Sequence, residues 1–209
     1  MSWADIPGWF NYADIYDDIV ATSRDGDTIV EVGVALGRSV AYLARKVIDS
    51  GKRVRIVAVD PWDIWNDDDR HPNRGKPTDE DVMGWHGRHH ALWEEHGSTF
   101  GVFLGAMRKH APEELARICV VRAYSVEAAA MFATDSLHAV WIDADHSFAG
   151  VRADVVAWRH KVRAATRARP AGHFAGHDHD WHEVAAAVRE SFGAEGVGYR
   201  VQGTSWRRL

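Results

Sequence analysis

One cysteine, Cys119, stands in 209 residues, so no disulfide can close within the chain. It lies in the apolar run Ile118-Cys119-Val120-Val121, where a thiol behaves as a small apolar group, which predicts a buried side chain and a reducing, cytoplasmic compartment. No apolar stretch approaches the roughly 20 residues of a membrane span. Met1-Ser-Trp-Ala-Asp has neither a basic start nor an apolar segment, so neither a membrane anchor nor a signal peptide is expected. Excess positive charge is lacking too: the net charge is −5, which leaves no electrostatic footprint for nucleic acid, and DNA or RNA is not the expected partner. Repeats and low-complexity segments are absent, and the length suits one domain, residues 1–209.

What the chain does have is a strand running through a glycine turn into a helix. Ile29, Val30 and Val32 are apolar and β-branched, as an interior parallel strand requires. Gly33 would let the backbone approach a ligand where a side chain would collide, and Gly37 would permit close packing of the next turn. From Arg38 the positions Val40, Leu43, Ala44, Val47 and Ile48 recur at helical spacing, so the turn aims backbone N–H groups and the positive end of a helix at one spot. A dinucleotide loop wants three closely spaced glycines, which Gly33 and Gly37 do not supply. Glu31-x-Gly33-x-x-x-Gly37-x-Ser39 instead resembles the first motif of class I S-adenosylmethionine-dependent methyltransferases. That resemblance assigns Glu31, Gly33, Gly37 and Ser39 to the methionine end of the cofactor.

A second apolar strand, residues 54–59, ends at Asp60, where a carboxylate can accept hydrogen bonds from both ribose hydroxyls; the alternative is a cap for the residues after Pro61. More than fifty residues then pass before the next strand at Ile118, far beyond an ordinary connection. Residues 62–115 are read as a lid over the substrate. Trp62, Trp65, Trp85 and Trp93 lie among acids and histidines, a mixture suited to stacking on sugar faces, although the same aromatics could fill a satellite core or a contact in a homo-oligomer. The spacing predicts a helix over 100–110.

Residues 3–21 read as one amphipathic helix over the mouth of the sheet, and residues 161–169 as a solvated basic connection. Ser125 follows the strand at 118–121 as a candidate N-cap and, by resemblance, a neighbour of the adenine. Leu137-His-Ala-Val-Trp-Ile-Asp143-Ala-Asp145-His146 is a strand ending in two carboxylates and an imidazole, and Gly172-His-Phe-Ala-Gly-His177-Asp178 is another ending in polar groups. Asp143 and Asp178 should therefore converge at the carboxyl edge, where open α/β sheets bind ligands. Two converging carboxylates repel unless one is protonated or a cation lies between them, and oxygen ligands favour Mg²⁺; a histidine ligand, His177, admits Mn²⁺, Fe²⁺ or Zn²⁺. No cysteine partners accompany His173, His177, His179 and His182, which argues against structural zinc.

Ile142-Asp-Ala-Asp-His-Ser-Phe with Ala175-Gly-His-Asp178 is similar to the metal-dependent macrocin- and mycinose-type sugar O-methyltransferases, over roughly residues 26–190. The resemblance implies a doubly wound, mostly parallel, seven-stranded Rossmann-like α/β sheet with a helical lid. It also implies S-adenosyl-L-methionine and Mg²⁺ or Mn²⁺ as cofactors, and a saccharide or other vicinal diol as acceptor. Asp143, Asp178 and His177 would hold the ion, Asp143 would also touch the cofactor, and His146 would be the general base. This chain has His177 where the macrolide enzymes carry an acid. Two other classes stay open: a nicotinamide-dependent oxidoreductase, and a non-catalytic metal- or nucleotide-binding module.

Overall fold

The computed structural model describes residues 2–62 and 98–209. Seven strands form one sheet: β1 (Thr28–Val32), β2 (Arg55–Asp60), β3 (Ile118–Arg122), β4 (Ala139–Ile142), β5 (His173–Gly176), β6 (Tyr199–Gln202) and β7 (Ser205–Arg208). Their order is β3-β2-β1-β4-β5-β7-β6, with β1 to β5 parallel and β7 antiparallel to both of its neighbours, β5 and β6. The order reverses between β1 and β4, which opens a crevice at their carboxyl ends.

Alternate residues of the inner strands serve two cores. Ile29, Ile56, Ala58, Ala139 and Trp141 face one, and Val30, Val32, Val57, Val59, Val140 and Ile142 face the other, which is why these strands read as continuous apolar runs. The first face is covered by α1 (Ala13–Thr22), α2 (Arg38–Asp49), α3 (Phe100–His110) and α4 (Pro112–Leu115). The second is covered by α5 (Ser125–Ala129), α6 (Phe148–Trp158) and α7 (His182–Phe192).

Four expectations need revision. Residues 3–21 are not one helix: a 3-10 turn, Trp3–Asp5, precedes an irregular stretch, and α1 begins only at Ala13. Pro7 has no N–H to donate and Gly8 adopts φ +149, so a helix cannot run through them. Cys119 is exposed rather than buried, because among the described residues β3 is an outer strand paired only with β2. The basic stretch is partly an ion-pair site: Arg163 and Arg169 reach the buried Asp27 at 3.2 and 2.7 Å. Finally, the last part of the segment read as a lid joins the body of the protein. Phe103 and Met107 of α3 are fully buried beside Gly37, and Arg45 of α2 bonds Glu114 of α4 at 2.7 Å. Residues 63–97, with Trp65, Trp85 and Trp93, lie outside the described residues. No helix among the described residues is long and apolar enough to cross a membrane.

Candidate active site

The glycine turn is braced from below. Asp60 Oδ2 accepts from the N–H groups of Val34 and Ala35 at 2.8 and 3.0 Å, and its Oδ1 accepts from Trp62 N at 2.6 Å. The Trp62 indole closes the circuit by donating to the Ala35 carbonyl at 2.7 Å. Gly33 (φ +83) has a packing reason as well: a Cβ there would overlap the Asp143 carbonyl and come within 2.8 Å of the Ala144 Cα. The turn after β1 and the end of β4 are thus in backbone contact. At Gly37 (φ +96) the close packing is against α3, since a Cβ would come 2.7 Å from Met107 Sδ.

Beneath the turn, Glu31 is wholly buried and accepts a hydrogen bond from the Ser39 hydroxyl. Burial pushes its carboxyl up to about 8 against the opposing effect of Ser39. Its Oε2 has no partner among the described residues, and no side chain caps the amino end of α2. An orphaned acceptor and an uncapped helix start side by side suit a ligand that carries both an ammonium and a carboxylate, as the methionine end of S-adenosylmethionine does.

Across the crevice the parallel ladder continues past the strand ends. Asp143 N donates to Val32 O at 2.8 Å and His177 N to Ile142 O at 3.0 Å, which sets these residues side by side. Asp143, His146 and Asp178 converge, their ligand atoms lying within 4.8 Å of one another. His146 Nε2 is 2.6 Å from Asp178 Oδ2 and 3.6 Å from Asp143 Oδ1, and its ring packs on Trp181 at 4.9 Å. Asp178 adopts φ +53, in the left-handed region, as do the non-glycine residues Ala35 and Trp62 on the same edge. Burial opposes a charge on His146, but hydrogen bonds and fields from Asp143 and Asp178 outweigh it and raise the imidazole to about 10. Burial likewise opposes charge on Asp178, and the two histidines outweigh it, holding the carboxyl well below its usual range.

Of the residues singled out in the sequence, Asp143, His146, Asp178 and His177 meet in one place, with Glu31, Ser39 and Asp60 around the adjoining turn. His177 stands somewhat apart from the converging set. Its Nδ1 lies 3.1 Å from Asp178 Oδ1 and 3.9 Å from Asp143 Oδ1, and its Nε2 is engaged by Asn11 and Thr204. Ser125 is not the N-cap, which is Tyr124; the Ser125 hydroxyl accepts from the Trp158 indole at 2.9 Å and ties α5 to α6. Tyr12, whose hydroxyl donates to Asp143 Oδ2 at 3.1 Å, was absorbed in the sequence reading into a covering helix. A contact across 131 residues leaves no local pattern to find.

A family model described as a methyltransferase domain matches residues 30–179. No curated protein matches the chain significantly. Among solved structures, the O-methyltransferase NovP is 13% identical with a TM-score of 0.57, over 94% of this chain and 78% of its own. Cofactor-bound Rv0187 from MTB is 15% identical with a TM-score of 0.51, over 99% and 84%. TrmN from Thermus thermophilus is 13% identical with a TM-score of 0.52, over 99% of this chain but 52% of its own. Such low identities speak for the fold, and the family match speaks for the domain: the chain belongs to the methyltransferase-domain family, as a class I S-adenosylmethionine-dependent methyltransferase.

Proposed function

We propose that this methyltransferase acts on a hydroxyl of a sugar or other vicinal-diol small molecule and depends on a divalent ion, Mg²⁺ or Mn²⁺. The observation that carries the reading is the convergence of Asp143, His146 and Asp178 within 4.8 Å, directly across a backbone contact from the glycine turn. Two carboxylates and imidazole nitrogen make a hard-to-borderline donor set that suits such an ion. Asp143 and Asp178 are the carboxylate ligands in this reading, and His177 offers Nδ1 beside them. A bound ion would supply charge neutralisation for adjacent acceptor hydroxyls and lower the pKa of the reacting one.

The chain's own residues then divide the work. Glu31, Ser39 and the start of α2 hold the amino-acid end of the methyl donor, and Gly33 and Gly37 give the turn its shape. Asp60 braces the turn with Oδ2 and keeps a lone pair on Oδ1, which accepts from Trp62 N alone among the described residues, for the ribose, and Ser125 stabilises the wall beside the adenine. His146 takes the hydroxyl proton as the oxygen attacks the sulfonium methyl in line, the methyl–sulfur bond breaks, and S-adenosylhomocysteine leaves with the electron pair. Positioning two already reactive groups in a closed, water-poor site supplies most of the acceleration, the role that the sequence reading gives to the lid segment, residues 62–115 of a single domain.

Removing divalent ions with a chelator should abolish turnover while leaving S-adenosylhomocysteine binding largely intact, with recovery on adding Mg²⁺ or Mn²⁺. Full activity in chelator would discard the metal role of Asp143 and Asp178. For the cofactor, Asp60→Ala should weaken S-adenosylhomocysteine binding by about 1.5–3 kcal/mol, because the ribose and the amides of Val34, Ala35 and Trp62 lose a charged acceptor. Calorimetry reads this directly, and an unchanged affinity would place the ribose elsewhere.

A further inference from the structure

The stretch between the 3-10 turn and α1 crosses the carboxyl edge of the sheet as a strap. Gly8 O accepts from Arg38 Nη1 on α2 at 2.8 Å, and Asn11 Nδ2 donates to Thr204 Oγ1, between β6 and β7, at 3.3 Å. Tyr12 is 2% exposed and stacks on Trp141 at 4.3 Å, with Phe10 and Tyr16 edge-on at 4.8 and 5.3 Å. Two adjacent residues of this strap touch two candidate ligands. The Tyr12 hydroxyl takes Oδ2 of Asp143, so Oδ1 is the oxygen left facing His146 and His177. Asn11 Oδ1 accepts from Nε2 of His177 at 2.9 Å, with the Thr204 hydroxyl 2.8 Å from the same nitrogen, and this turns Nδ1 toward Asp178. Both residues lie outside the matched family domain, residues 30–179.

We propose that Asn11 and Tyr12 are positioning residues of the candidate metal site: Tyr12 fixes which oxygen of Asp143 faces the ion, and Asn11 fixes which nitrogen of His177 does. The inference rests on the metal reading of Asp143 and Asp178. A carboxylate free to rotate offers either oxygen, and a neutral imidazole offers whichever nitrogen lacks the proton. Holding the Nε2 proton on an amide oxygen leaves the Nδ1 lone pair for the site, and a phenol locked among aromatic rings holds Asp143 without being ordered anew on each binding event.

The test measures Mn²⁺ uptake by the full chain, by electron paramagnetic resonance, with saturating S-adenosylhomocysteine present. Tyr12→Phe keeps the ring and removes only the hydroxyl. It should weaken Mn²⁺ binding about 10-fold, the usual scale for an outer-shell partner, with S-adenosylhomocysteine affinity and thermal midpoint close to wild type. Asn11→Leu should show a similar loss, and Asn11→Asp, which keeps an acceptor for the Nε2 proton, should restore most of it. Wild-type Mn²⁺ affinity in both Tyr12→Phe and Asn11→Leu would overturn the inference and leave the metal reading standing. Equal losses in Asn11→Leu and Asn11→Asp would overturn the hydrogen-bond role of Asn11. A wild-type chain that takes up no Mn²⁺ would remove the metal reading and this inference together.

Discussion

His146→Ala should cut turnover by on the order of 10²–10⁴ while leaving divalent-ion and S-adenosylhomocysteine affinity in place. The reason is timing: a base acts only as the proton leaves, so its loss is felt in the reaction and not in the binding that precedes it. Asp143→Ala and Asp178→Ala should differ, losing ion affinity and acceptor binding together, since in the proposed function the acceptor is held through the ion. The wild-type rate should fall as pH drops through the imidazole pKa of the loaded enzyme. Without an ion that pKa sits at about 10, raised by Asp143 and Asp178 against the cost of burial. A cation on those carboxylates removes the field that raises it and returns the imidazole toward the range where it can accept a proton. If His146→Ala instead abolishes ion binding, His146 is a ligand, as its place in the converging set would allow, and Asp143 becomes the candidate base.

The second large effect is on folding. Gly33→Ala should destabilise the protein by about 4 kcal/mol, roughly 1 from the left-handed backbone and 3 from overpacking against backbone that cannot give way. In a chain of this size that corresponds to a fall of roughly 8–16 °C in Tm. Gly26→Ala provides the control, because Gly26 has a similar φ of +87 and nothing within 4 Å of its added Cβ. It should lose only the backbone contribution. Equal losses in the two variants would show that the contact between the turn and the Asp143 backbone carries no weight.

The legible parts of this protein are those whose cause is local. α2 starts at Arg38 and α3 spans Phe100–His110 where the apolar spacing puts them, and β1 to β5 begin within about two residues of their apolar runs. The convergence of Asp143 and Asp178 also followed from local evidence, because each ends an apolar strand and such strands share an edge. What failed depended on order in space. Whether Cys119 is covered is decided by β3 being outermost, and sheet order is not written in the strand itself. Arg163 and Arg169 find Asp27 across 136 and 142 residues, and Tyr12 finds Asp143 across 131. The first helix was a different kind of miss: Pro7 and Gly8 stood in the sequence as breakers, and the aromatic periodicity around them outweighed a rule that should have prevailed.

The exposed thiol on the outer strand has a practical consequence. With no second cysteine in the sequence, a maleimide dye would label each molecule once, at Cys119. In the sheet order that point lies two strands from β1 and three from β4, clear of both halves of the crevice. A fluorophore there would serve as a fixed donor for energy transfer to a labelled acceptor analogue, so occupancy could be followed in solution without altering any residue assigned to chemistry.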